Sequence, residues 1–112
     1  MIPSRYRLRS NRSFDAVYKR GHSASDERLV VTYLPSKYPV LKVGFVVGKK
    51  VGKAVVRNKV KRRLREAFRL LIPRLDGATS YVIVARAAAA KADYHTLASS
   101  LQGLLAKQGK LH

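Results

Sequence analysis

The sequence predicts a single α+β domain whose elements run α-β-β-α-β-α, with room for one more strand around Ser23 to Ser25. Three observations carry this reading. Apolar residues recur at helical spacing in three separate stretches, runs of β-branched and aromatic residues lie between them, and glycine or proline stands at the joins. With 112 residues the chain fits one domain, since domains span roughly 100–200 residues. Its apolar share of 46% suits a globular core.

Residues 1–9 include Pro3, Arg5, Arg7 and Arg9 and read as a basic extended arm. Ser10 can cap a short helix running to about Arg20, with Phe14, Val17 and Tyr18 at i, i+3 and i+4 on one side. Gly21 stands where a left-handed helix terminus is expected. Arg28 to Leu34 reads as a strand, and Pro35 to Pro39 as a turn. Leu41 to Val47 is a second strand signal, with Val43, Phe45 and Val47 on one face. Gly48 to Lys53 forms a basic glycine loop before a helix from about Ala54 to Leu71, which Pro73 should stop. Tyr81 to Ala85 is a continuous apolar run, hence a buried strand. From Asp93, an N-cap, the stripe Tyr94, Leu97, Leu101, Leu104 and Leu105 marks a last helix that Gly109 ends. The run Ala87 to Ala90 has high helix propensity but lies between breaks and remains unassigned. The tail, 106–112, is expected to be mobile.

The charge is far from ordinary. Twenty-four Lys and Arg face six Asp and Glu, for a net charge of +18 and a pI near 11.1. Such self-repulsion in a small domain calls for a polyanionic partner, either nucleic acid or an anionic membrane. The chain has no cysteine, which excludes disulfides, thiol catalysis and cysteine-bound zinc. Neither a signal-peptide run nor the ~18 consecutive apolar residues of a span occurs. A cytoplasmic protein is expected, with neither membrane nor small molecule as its partner.

Residues 49–69 hold ten basic residues and one acid, Glu66, a net +9 that is half the charge of the chain. Lys49, Lys50 and Lys53 lie in the glycine loop and the rest on the helix. At 3.6 residues per turn, Val56, Val60, Leu64, Ala67, Phe68 and Leu71 fall on one stripe that can face a sheet. Arg57, Lys61 and Arg65 line up beside it at i, i+4 and i+8, and Asn58, Arg62 and Arg69 continue that flank. Lys59, Arg63 and Glu66 fall on the other. Like charges at i, i+4 destabilise an isolated helix, so the row points to a phosphate backbone as counter-charge. The Gly48–Ala54 loop is not a nucleotide-binding P-loop. It is one residue short between its glycines, and Ala54 stands where a metal-binding Ser or Thr belongs.

Catalytic and metal-binding residues are both predicted to be absent. The acids Asp15, Asp26, Glu27, Glu66, Asp76 and Asp93 have no spacing that suggests a two-metal cluster, and His22, His95 and His112 are scattered.

The stretch Phe45 to Phe68 resembles the core of bacterial ribonuclease P proteins. Its hallmark is an Arg-Asn pair followed by Lys-Arg and a further Arg on one basic helix, filled here by Arg57, Asn58, Lys61, Arg62 and Arg65. Phe14 to Gly21 is similar to the family's first helix and Tyr81 to Arg86 to its last strand, so the resemblance covers nearly the whole chain. It implies an α/β sandwich with a four-stranded mixed sheet, like the second domain of ribosomal protein S5, and a left-handed β-α-β crossover. It further implies two partners, a large catalytic RNA and precursor tRNA, whose single-stranded 5′ leader lies in a cleft between the first helix and the sheet. Phe14 and Tyr18 match the aromatic cleft positions, and an aromatic face can stack a flexible strand whatever its sequence. The next cleft position falls on Thr32, where the family often has an aromatic.

The resemblance implies a ribonucleoprotein endoribonuclease. The RNA subunit would be catalytic and hold the Mg2+ ions, and the protein alone would be inactive. The alternative reading of the charge is a ribosomal protein or another structural RNA-binding module.

Overall fold

The computed structural model of the chain describes residues 2–112. Strands β1 (His22–Ser25), β2 (Leu29–Pro35), β3 (Lys42–Val47) and β4 (Thr79–Ala85) form one sheet in the order β1-β2-β4-β3. Its helices are α1 (Asn11–Arg20), α2 (Ala54–Leu71) and α3 (Tyr94–Lys107). β1 and β4 each run antiparallel to β2, whereas β3 runs parallel to β4. Parallel neighbours need a crossover, and α2 supplies it between β3 and β4. The room for a further strand near Ser23 is thus taken up by β1.

Alternation along the strands divides the molecule into two layers. Leu29, Val31, Val43, Tyr81 and Ile83 point to one face, where Val60, Leu64 and Phe68 of α2 and Leu97 and Leu101 of α3 close over them. Each such side chain contributes about 1.5–3 kcal/mol when fully buried, so this layer is the main source of stability. Phe68 meets the rings of Phe45 and Tyr81 edge-on, with centroids 5.9 and 5.7 Å away. That arrangement sets the positive edge of one ring against the negative face of another. The Tyr81 hydroxyl donates to the Asp76 carbonyl at 3.1 Å, and burial above all pushes its phenol up to about 12.

The opposite face carries a row of register neighbours, Thr32, Val82 and Gly44, and α1 lies across it. Ser10 caps α1, its hydroxyl accepting from Ser13 N at 3.1 Å. Asp93 caps α3 in the same way, accepting from Thr96 N at 2.8 Å. Gly109 follows α3 at φ +73°, the left-handed turn expected of it.

Gly21 corrects the expectation made for it. Its φ of −79° and ψ of 170° are extended, because the chain passes from α1 straight into β1. Glycine is needed there for closeness. A Cβ would lie 2.4 Å from Val17 O and 2.7 Å from Tyr33 O. The α-helix does end at Leu71, as the approach of Pro73 predicts. A 3-10 turn, Ile72–Arg74, follows with the proline at its start, where the missing N–H costs nothing. The run Ala87 to Ala90 forms most of another 3-10 helix, Ala87–Lys91, and plugs Ala89 into the core.

Both termini bear on the fold. The arm is not uniformly extended: Ser4–Tyr6 is a 3-10 turn, Ile2 is buried, and Arg7 pairs with Val43 beside β3 through Leu8 N donating to Val43 O at 2.9 Å. In the tail, for which mobility is expected, Leu111 pairs with Leu75 and His112 N donates to Arg74 O at 2.7 Å. The Asp76 carboxylate binds the His112 ring and, at 3.3 Å, the Lys110 ammonium.

Candidate RNA interface

The basic loop is a tight turn, held by Val51 N donating to Gly48 O at 3.1 Å and Gly52 N to Lys49 O at 3.2 Å. Val51 is buried and anchors the loop, while Gly52 adopts a φ of +151° that suits glycine. Lys49, Lys50 and Lys53 are thereby left exposed. Lys53 occupies the N-cap of α2 without a side-chain cap bond, so free first-turn N–H groups add to the positive field.

Along α2 the apolar stripe sorts as the spacing predicts, with Val60, Leu64, Ala67, Phe68 and Leu71 buried. Arg57 and Lys61 are half-buried beside it, and Arg65, Asn58 and Arg62 are exposed. The enclosed Nε of Arg57 has no hydrogen-bond partner among the described residues. Arg69 differs from the rest. Its guanidinium holds the Glu66 carboxylate, with Nε 3.2 Å from Oε2. Hydrogen bonding from Arg69 keeps the Glu66 carboxyl below its usual range, so this cation is already partly neutralised. Arg63, on the other flank, donates to Ala92 O at 3.0 Å and ties α2 to the chain before α3.

On the α1 side, a second register row, Val30, Val84 and Val46, is only half-buried. This strip of sheet is left partly open beside α1, and Tyr18 of that helix is 49% exposed. Burial first, and then the Asp15 charge, raises the Tyr18 phenol above its ordinary value, which keeps the ring neutral at physiological pH. Phe14 packs its edge against Gly44, where a Cβ would come within 2.3 Å of Cζ. Thr32 is 4% exposed and lies beneath Gly21, its hydroxyl 2.7 Å from that of Ser23. It presents no open surface, so the exposed aromatic surface of α1 comes down to Tyr18 and part of Phe14.

Arg65 and Phe14 line one depression at the β3 edge together with Arg7, Leu8 and Gly44. The cationic flank of α2 therefore continues round the sheet edge to α1. Arg7 is the residue that sequence reasoning missed. Its only signal was membership of a basic arm, and its place depends on pairing with Val43.

The acids are dispersed and largely engaged. Asp26 accepts from the Arg28 and Leu29 N–H groups at 2.8 Å each and binds the Ser100 hydroxyl. Glu27 pairs with Arg28 at 3.0 Å, and Asp93 is a cap. Among the described residues, Asp15 alone has no such partner, and no three His, Asp or Glu residues group as metal ligands. No helix among them is long and apolar enough to cross a membrane.

The comparisons with known proteins agree with this geometry. A family model described as Ribonuclease P matches residues 2–109. The ribonuclease P protein component of Caldanaerobacter subterraneus is 43% identical over 90% of this chain and 87% of its own length. That of Symbiobacterium thermophilum is 42% identical over 95% and 93%. Among solved structures, the RNase P protein of Staphylococcus aureus superposes with a TM-score of 0.89 at 31% identity, covering 96% of this chain and 98% of that one. The Thermotoga maritima protein gives 0.81 at 32% identity over 90% and 96%. These relatives do not favour the alternative reading as a ribosomal protein. With a family model matched over nearly the whole chain, relatives at 42% and 43% identity and the same fold in solved members, this protein belongs to the ribonuclease P family as a protein component of ribonuclease P.

Proposed function

We propose that the chain binds the catalytic RNA of ribonuclease P through α2 and the Gly48–Lys53 loop. In this reading it holds the 5′ leader of precursor tRNA in the cleft between α1 and the sheet, so that the RNA can remove that leader. One observation carries the reading: a row of cations along α2, Arg57, Lys61 and Arg65, ends at a depression on the β3 edge that Arg65 shares with Arg7 and with Phe14 of α1. Both partners are polyanions, and the row lowers their mutual repulsion while Tyr18 and Phe14 stack unpaired bases.

The chain itself performs no bond cleavage in this mechanism. Asp15 aside, its acids serve among the described residues as caps, hydrogen-bond acceptors or ion-pair partners, and this reading assigns the Mg2+ chemistry to the RNA. The cytoplasm, where precursor tRNA is made in bacteria, is the expected location.

The test is reconstitution. Adding the protein to a bacterial ribonuclease P RNA at low magnesium should restore processing of precursor tRNA, and Lys61→Ala with Arg65→Ala should weaken that rescue while the protein still folds. The assignment fails if the intact protein leaves turnover unchanged.

A further inference from the structure

A second groove lies on the other flank of α1, away from the leader cleft. About 700 Å³ in volume, it is walled on one side by Ser13, Ala16 and Arg20 of α1 and on the other by the turn after β2, including Lys37 and Tyr38. Residues of the arm close one end and Lys42 lies in its wall. Five cations (Arg7, Arg9, Arg20, Lys37 and Lys42) line it and no acid does. Tyr38 is 68% exposed at its rim. Lys42 is already committed to the arm through a hydrogen bond to Arg5 O at 2.5 Å, and Arg9 is bonded to the Ser4 hydroxyl. Arg20 and Lys37 have no hydrogen-bond or ion-pair partner among the described residues and stand exposed.

We infer that this groove is a second RNA site, which takes a single-stranded stretch of the same RNA that lies along α2. Charge decides the chemical class. A concave surface lined by five cations and no acid concentrates positive potential, and an exposed aromatic ring beside it gives a base a surface to stack on. Continuity decides which RNA. Arg7 lines both this groove and the depression that contains Arg65, so the cationic flank of α2 runs into it without a break. The leader cleft lies across α1, on the side of Tyr18 and the Val30, Val84 and Val46 row. A strand seated in the groove is thus separated from the leader by the body of a helix, about 10 Å across.

The inference rests on α2 as the contact for the RNA subunit, and its test separates the two. Binding of the full-length protein to ribonuclease P RNA is measured between 50 and 200 mM salt for three proteins: wild type, Arg20→Ala with Lys37→Ala, and Lys61→Ala with Arg65→Ala. Each lost single-strand phosphate contact lowers the log–log salt slope by about 0.7. The groove variant should therefore show a slope smaller by about 1.4, its affinity falling ~7-fold less across that range, and unchanged discrimination between precursor and mature tRNA. A wild-type slope in the groove variant, with a reduced slope in the α2 variant, overturns the groove and leaves α2 standing. A wild-type slope in both overturns both. A groove variant that loses only its preference for leader-bearing substrate also overturns the inference, because the occupant would then be the leader. If the groove variant melts early, Tyr38→Ala tests the same surface. Roughly 10-fold weaker RNA binding at unchanged slope supports the groove, and unchanged binding overturns it.

Discussion

Phe14 of α1 and Gly44 of β3 are in such close contact that a single methyl group on the glycine would fall 2.3 Å from Phe14 Cζ and 2.4 Å from Cε1. The residue that seats α1 on the sheet is therefore also the one that sets the position of an aromatic in the proposed leader cleft.

Gly44→Ala should push the Phe14 ring off the sheet and destabilise the fold by about 1–3 kcal/mol, the usual cost of overfilling a packed site. A urea titration checks this, with an unchanged m-value. Affinity for precursor tRNA should fall more than affinity for mature tRNA, since the ring moves within the cleft.

Gly21→Ala meets backbone instead of a ring, with Val17 O and Tyr33 O both under 3 Å from the new carbon. Backbone cannot rotate aside, so the loss should exceed that of Gly44→Ala and lower the melting temperature by several degrees. Scanning calorimetry of the two variants side by side tests the ranking.

Tyr18→Ala removes a half-exposed ring from the cleft wall and should leave stability nearly unchanged. Leader stacking predicts a loss of about 1–3 kcal/mol in affinity for precursor tRNA, with mature tRNA bound as before. Equal losses on both substrates would remove Tyr18 from the leader path.

Asp26 supplies the acid-range dependence. Burial opposes its charge, but the Ser100 hydroxyl, the Leu29 and Arg28 N–H groups and the Arg28 charge outweigh that, and its pKa lies below the ordinary 3.8. A folded-state pKa lower than the unfolded one gives stability that is complete above about pH 4–5 and is lost as pH falls through the folded value. Asp26→Asn should cost about 1 kcal/mol near neutrality, and the gap to the wild type should close below pH 3.8. Urea midpoints measured across pH 2.5–7 would show whether the curves converge.

How far the sequence could be read depended on how local each cause was. The bounds of α2 were legible because its stripe, its glycine loop and Pro73 all lie within one segment. The caps Ser10 and Asp93 were legible for the same reason, as each side chain bonds three residues on. Gly21 was misread because a left-handed turn and a close approach ask for the same residue. Only Tyr33 and Thr32, contributed by β2, tell them apart. The docking of the arm on Val43 and of Leu111 on Leu75 leaves no periodic trace in either segment. In the site, the row Arg57, Lys61 and Arg65 followed from helical geometry, whereas Arg69 was indistinguishable from them until Glu66 was seen to hold it. The part played by Arg7 could not be read without the β3 edge.

That β3 edge also bears on how the free polypeptide stays apart from its own copies. An uncovered strand invites another copy to add on and so start a fibril. Here Arg7 and Leu8 occupy part of one flank, and the other ends in the short, serine-rich β1. With mutual repulsion from a charge of +18, newly made molecules have little opportunity to polymerise through their strands.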